Sequence, residues 1–196
     1  MADAEATARE YIELYVRYGF YRPAEVVEIV GEDVLGGELP GKRIGELVKA
    51  EVARQRAEQE SWPEVTDCDR LDRAFVALRS QGVLGIHNAG YTPSEGIAEM
   101  SEQYHVAGGV RSGIVGYCFY HRQSMEKAIK YGTLRLAYGD IDGDPGRGVE
   151  VGNRVRGALE AAGLRVEWSG SIDDTIEITE FRWQRRSKAR RTRRCT

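Results

Sequence analysis

Apolar residues recur at helical spacing through the first sixty positions of the chain. Tyr11, Leu14, Tyr15 and Tyr18 follow an i, i+3, i+4, i+7 pattern, which predicts a helix with these four side chains on one buried face. Two further apolar stripes follow, and the pattern fades before Trp62-Pro63, where proline disfavours continuation of a helix. We therefore predict that residues 1–62 form an N-terminal helical region.

After Pro63 short apolar runs alternate with helical stripes. Thr66 and Asp69 have the spacing of a capping box at the start of a helix. β-branched and aromatic runs then predict three strands and a closing hairpin, namely Val83–His87, Ile114–Tyr120 and Thr133–Tyr138, then Leu164–Trp168 and Thr175–Phe181. Residues 63–181 are thus predicted as an α+β or mixed α/β core, with a mixed sheet covered by helices and ending in a C-terminal β-hairpin.

The charges are divided unevenly along the chain. Eight of the 28 basic residues follow Phe181, whereas none of the 31 acidic residues does. Such a block predicts a disordered basic tail over residues 182–196, which could bind nucleic acid weakly by neutralising phosphates. The residues of this possible contact are Arg182, Arg185, Arg186, Lys188, Arg190, Arg191, Arg193 and Arg194.

Composition argues against several classes of protein. No apolar run has the length of a membrane span, and the first ten residues lack the pattern of a secretory signal. Cys68, Cys118 and Cys195 are too scattered for a disulfide framework or a zinc site, and Cys118 lies in an apolar run typical of a core. These features favour a cytoplasmic protein that neither enters nor contacts a membrane.

Two histidines stand at the carboxyl ends of predicted strands, where α/β sheets commonly hold ligands. They are His87 and His121, and Asn88, Tyr91 and Gln123 lie beside them. If the two strands are neighbours, the imidazoles could serve as acid and base in a pocket, with the other three side chains binding a ligand. The alternative is that each histidine is bonded to backbone or water at a strand end.

Two other patterns are weaker. The segment Asp140–Gly146 has alternating carboxylates, but Pro145 replaces the invariant glycine of a calcium-binding loop, so a surface turn is favoured. Glycines between Gly146 and Gly152 have the wrong spacing for a dinucleotide-binding loop. Neither a metal nor a cofactor is expected.

Four segments resemble a bacterial family of domain-of-unknown-function proteins that is common in high-GC genomes; they are residues 62–78, 116–123, 134–139 and 158–168. The resemblance covers most of residues 5–180 and leaves the basic tail outside. It implies an intracellular bacterial protein and transfers no activity. His121 with Gln123 matches a His-x-Gln pattern of the family, whereas Asn88–Pro93 stands where some relatives carry Cys-x-x-Cys.

Three functions follow as hypotheses. The leading one is a non-catalytic binding or regulatory protein for a small molecule or another protein, because no nucleophile–base signature is found. The second is a small enzyme that uses His87 and His121 as acid and base. The third is weak binding of nucleic acid through the basic tail.

Overall fold

The computed structural model of the protein describes residues 2–186. Contacts along the chain divide it into two compact units. Among the described residues, the first unit contains residues 2–64 together with residues 184–186, and the second unit is Val65–Trp183. None of the helices in the described residues is long and apolar enough to cross a membrane.

The first unit is helical. It contains α1 (Ala2–Tyr18), α2 (Pro23–Ile29), a π-helical turn that extends α2 over Val30–Val34, and α3 (Gly41–Gln59). Pro23 occupies the first turn of α2, where its missing N–H costs nothing. Helix α3 contacts both α1 and α2, and it buries Ile44, Leu47 and Val48.

The buried face of α1 differs in part from the predicted stripe. Tyr15 and Tyr18 are buried as expected, whereas Tyr11 is 39% exposed. The buried side instead includes Ala8 and Ile12. Small alanines allow a close approach between helices, so the spacing of the large aromatic residues alone placed the face incorrectly.

The second unit contains four α-helices, a short 3-10 helix (Gly109–Ser112) and five strands in the described residues. The order of the α-helices and strands is α4 (Asp67–Ser80), β1 (Val83–Ile86), α5 (Pro93–Val106), β2 (Gly116–Phe119), α6 (Arg122–Tyr131), β3 (Leu134–Asp140), α7 (Pro145–Ala161), β4 (Arg165–Glu167) and β5 (Ile176–Thr179). The sheet order is β1-β2-β3-β5-β4. Only β1 and β2 are parallel, and the other pairs are antiparallel. The predicted α+β fold with a mixed sheet and a closing hairpin is therefore confirmed.

Helices α4 and α7 lie over one face of this sheet. Two glycines permit close packing there, because an added Cβ would lie 2.7 Å from Phe75 at Gly85 and 2.7 Å from Trp168 at Gly152. Helix α5 contacts β2, and the other face carries a small apolar cluster around Ile86 and Phe119. Cys118 is fully buried, and burial raises the pKa of its thiol, which confirms it as a core residue.

The start of α4 is capped as predicted. The Thr66 hydroxyl accepts a hydrogen bond from the Asp69 N–H at 3.2 Å, and the Asp69 carboxylate accepts one from the Thr66 N–H at 2.8 Å. This reciprocal arrangement satisfies two backbone donors that a helix start leaves unpaired. It fixes the position at which the second unit begins its first helix.

Residues 182–186 make specific contacts, although the charge pattern predicted disorder from residue 182. The backbone N–H of Arg182 donates to Asp67 at 3.0 Å, and Trp183 and Arg185 are only 8% and 6% exposed. Residues 187–196, which carry Lys188, Arg190, Arg191, Arg193 and Arg194 of the possible nucleic-acid contact, lie outside the described residues.

Candidate functional site

The two strand ends that carry the candidate histidines are neighbours in the sheet. Strands β1 and β2 are parallel, with Ile86 opposite Phe119. Beyond the strands the pairing continues, because the Ala89 N–H donates to the Tyr120 carbonyl at 2.9 Å. Both loops therefore leave the sheet at the same carboxyl edge, as the ligand-site hypothesis requires.

His87 lies on the side of the sheet that α4 covers. Its ring stacks on Phe75 with the centroids 4.5 Å apart. Its Nδ1 is 2.9 Å from the Tyr120 hydroxyl, and its Nε2 is 3.3 Å from an Asp72 carboxylate oxygen. This chain of three groups could move a proton between Asp72 and Tyr120. Tyr120 has no exposed surface, so its hydroxyl cannot meet a substrate directly.

His121 occupies a different environment. It is the residue before α6 and has extended dihedrals, φ −100° and ψ 172°. Its Nε2 lies 3.3 Å from the Ser124 hydroxyl. Burial lowers the pKa of His121, and a hydrogen bond with the backbone of Tyr91 opposes part of that change.

The two imidazoles do not converge. Side chains alternate between faces along an extended chain, so His121 points away from the face that Tyr120 shares with His87. Adjacent strand ends therefore bring the two backbones together, while the two imidazoles lie on opposite faces of the extended chain.

The other three candidates belong to the loop between β1 and α5 and to the start of α6. Asn88 has a φ of 52°, a left-handed conformation that asparagine tolerates better than most residues. Tyr91 is 43% exposed, and the Arg122 guanidinium lies 5.8 Å from its ring centroid. Gln123 joins the same loop through its backbone N–H, 3.4 Å from the Tyr91 carbonyl.

Two glutamates of α5 hold this loop in place. Glu99 accepts a hydrogen bond from the Gly90 N–H at 2.9 Å, and Glu95 accepts one from the Tyr91 N–H at 2.7 Å. These carboxylates use the amides that could otherwise bind an anion. The loop is thus a fixed connection within the sheet edge.

The acidic turn after β3 is organised by one buried carboxylate. Asp140 is 7% exposed and accepts hydrogen bonds from the Asp142 and Asp144 N–H groups. Arg147 pairs with both of its oxygens, at 3.0 and 3.1 Å. Arg147 is the main reason why the pKa of Asp140 lies below its usual value. The alternating aspartates therefore shape a turn, as the sequence favoured.

A cavity of about 370 Å³ lies within the first unit. Its wall combines the end of α1, the segment between α1 and α2, the start of α2, the second half of α3, and two residues near the C-terminus. The lining residues are Val16, Gly19, Phe20, Tyr21, Arg22, Pro23, Val26, Val52, Gln55, Arg56, Gln59, Arg185 and Arg186.

The packing of this wall depends on a glycine and on a buried amide. Gly19 has a φ of +77°, and an added Cβ would lie 2.8 Å from the Arg185 Cγ, so only glycine lets that side chain approach. Arg185 in turn places its guanidinium 4.6 Å from the centre of the Phe20 ring. The Gln55 amide donates to the Val16 carbonyl at 3.0 Å, which ties α3 to the end of α1.

Little in the amino-acid pattern indicated this cavity. Two of the four arginines in its wall, Arg185 and Arg186, lie in the block interpreted as a disordered tail. The usable signals were Gly19 at the end of a helical stripe and the aromatic pair Phe20-Tyr21 directly after it. Neither of them identifies the distant arginines that pack there.

The chain thus combines an α+β unit, whose buried polar groups largely serve its own loops, with a helical unit that contains a ligand-sized cavity. It belongs to the family described as Domain of unknown function (DUF6891), whose model matches residues 1–187. The match continues past Phe181 and includes Arg185 and Arg186 of the cavity wall. Comparisons with curated proteins and with solved structures gave no match.

Proposed function

We propose that this protein is a non-catalytic binding protein that takes a small molecule into the cavity of its helical unit. The observation that carries the proposal is the cavity itself. Its volume of about 370 Å³ falls in the range of about 300–1,000 Å³ typical of ligand sites. Apolar and polar side chains both contribute to its wall, as they do in most such sites.

The wall is held by contacts that need no ligand. Gln55 is 6% exposed and bonded to the α1 backbone. Arg22 is fixed by Glu25, whose carboxylate lies 2.9 Å from its Nε. A wall that is already in position lowers the entropic cost of binding, which favours a binding function.

The enzyme alternative has less support. His87 and His121 point to opposite faces of the sheet, so one substrate would have to reach both. General acid–base catalysis needs both groups within hydrogen-bond reach of the same reacting atoms. The alternative remains a hypothesis, together with the candidate ligand contacts Asn88, Tyr91 and Gln123.

We also propose a bacterial, cytoplasmic setting for this function. The buried thiols Cys68 and Cys118 support the compartment, since unpaired cysteines are usual in reducing surroundings. The resemblance of four segments to a family of high-GC bacteria supports the source.

The test is a small-molecule library screened by thermal shift, with each hit measured again on two variants. Val52→Phe fills the cavity from α3, whereas Ala57→Phe places the same side chain on an exposed position of that helix outside the wall. We expect a hit to raise the unfolding midpoint in proportion to its concentration. Its Kd should rise about tenfold or more in Val52→Phe and stay unchanged in Ala57→Phe.

Circular dichroism verifies that each variant is folded, and Gln59→Phe replaces Val52→Phe if the latter is not. The proposal is wrong if no library member raises the midpoint. It is equally wrong if the folded cavity variant binds every hit as tightly as the parent protein.

A further inference from the structure

The charge of the cavity wall differs from that of the chain. Four arginines line the cavity, and no aspartate or glutamate does. The whole chain, in contrast, has 31 acidic and 28 basic residues. A concave wall with one sign of charge concentrates its electrostatic potential inside the concavity and attracts ligands of opposite charge.

The arginines are not equally available. Glu25 accepts hydrogen bonds from the Arg22 side chain, so the charge of that arginine is largely neutralised. Arg186 donates to the backbone carbonyls of Pro63 and Glu64, at 2.7 and 3.4 Å.

Arg56 is a cation of this wall that is open to a ligand. It lies near the end of α3, and its side chain is exposed. It forms no hydrogen bond or ion pair with any residue in the described range 2–186. Arg54, two positions earlier, bonds Glu51 and Glu13 instead and does not line the cavity.

We infer that the ligand of this cavity carries a phosphomonoester group, bound by Arg56 with help from Arg186, and an apolar body that contacts Val16, Val26 and Val52. This inference rests on the proposed binding function and names the class of ligand. A guanidinium presents several N–H donors in one plane and matches the oxygens of a phosphate or a carboxylate. Two cationic side chains in one wall favour a doubly charged group over a single carboxylate. The modest volume restricts the apolar body to about the size of one ring.

Phenyl phosphate is a suitable probe, because it joins a dianionic group to one apolar ring. Benzoate supplies a single negative charge, benzyl alcohol supplies none, and inorganic phosphate lacks the apolar body. Isothermal titration of the full chain with each compound, repeated across a salt series, compares these contributions directly. We expect phenyl phosphate to bind most tightly and to weaken as salt increases.

The matched variants are Arg56→Gln and Arg54→Gln, which remove one charge each from the same helix. Arg56→Gln should raise the Kd for phenyl phosphate about tenfold, the order expected for a charge-assisted hydrogen bond. Arg54→Gln should leave that Kd unchanged. Arg56 has no partner in the described residues, so its replacement is not expected to impair folding.

Two results would overturn the inference while leaving the binding function intact. In the first, benzyl alcohol binds as tightly as phenyl phosphate and Arg56→Gln changes neither. In the second, phenyl phosphate does not bind, although library hits are still lost in Val52→Phe. If no library member raises the unfolding midpoint of the parent protein, the binding function itself is refuted, so the two failures are distinguishable.

Discussion

Two glycines of α7 allow overpacking to be measured separately from helix propensity. Gly152 is buried, and a Cβ added there would lie 2.7 Å from Trp168 and 2.7 Å from Tyr138. Gly157 lies five positions later on the same helix, is exposed, and has no atom within 4 Å of such a Cβ. The variants Gly152→Ala and Gly157→Ala therefore make the same chemical change in one helix with and without a steric conflict.

The expected magnitudes follow from two opposing effects. Alanine is favoured over glycine in a helix by about 1 kcal/mol, so Gly157→Ala should stabilise the second unit by about that amount. At Gly152 the same gain is opposed by overpacking against two aromatic rings, which costs about 1–3 kcal/mol. Both variants contain the propensity gain, so the difference between their free energies of unfolding is the overpacking cost alone.

Urea unfolding followed by circular dichroism measures both variants against the parent chain, with the slope m compared to confirm that the same surface is exposed. We expect the urea midpoint of Gly157→Ala to exceed that of the parent chain. The free energy of unfolding of Gly152→Ala should be about 1–3 kcal/mol lower than that of Gly157→Ala. Equal stabilisation by the two variants would refute the packing of Trp168 and Tyr138 against Gly152 described above.

Two further changes test local interactions of the second unit. Thr66→Ala removes the hydroxyl that caps α4 and should lower the free energy of unfolding by about 1 kcal/mol. Thr66→Ser keeps a hydroxyl and should retain most of that stability. An equal loss of stability in both variants would argue against the cap. Asp140→Asn tests the buried carboxylate whose pKa Arg147 lowers. A carboxyl with a lowered folded-state pKa stabilises the fold above its unfolded-state pKa, and this contribution is lost as the pH falls through the folded-state value. Asp140→Asn should thus be less stable than the parent at neutral pH, and the free energies of unfolding of the two proteins should converge in acid. Unfolding is measured from pH 7 to pH 2, with a variant at an exposed position, Asp173→Asn, as control. A stability difference that is independent of pH would contradict the Asp140–Arg147 pairing.

Local patterns were sufficient for the elements of the second unit. Alternation of β-branched runs with helical stripes located strand β1 and the closing hairpin, and Thr66 with Asp69 located the start of α4. These features depend on residues close together in sequence. The sheet order could not be obtained in the same way, because the placement of β5 between β3 and β4 depends on contacts between distant segments.

The candidate site shows the same limit. The sequence placed His87 and His121 at strand ends, and β1 and β2 are indeed neighbours. The direction of each side chain depends on one residue of register, because faces alternate along a strand. His87 ends up against α4 and His121 does not, and no pattern in the sequence distinguishes the two outcomes.

Arg185 marks the largest difference between pattern and structure. A run of arginines without apolar residues predicts disorder, since such a segment cannot bury enough apolar surface to offset the loss of chain entropy. Here the necessary apolar partner, Phe20, is supplied by another part of the chain, and Gly19 leaves room for the arginine stem. A long charged side chain can bury its methylene groups in this way while its head stays close to polar surroundings.

The discontinuity of the helical unit affects both synthesis and deletion experiments. Its cavity wall takes residues from both of its segments, before Glu64 and after Gln184. During translation α1 to α3 emerge first, yet the wall cannot close until Arg185 and Arg186 have been added, after the whole second unit has been made. A deletion that removes basic residues without affecting the cavity must therefore begin after Arg186, because a cut at residue 181 also removes part of the cavity wall.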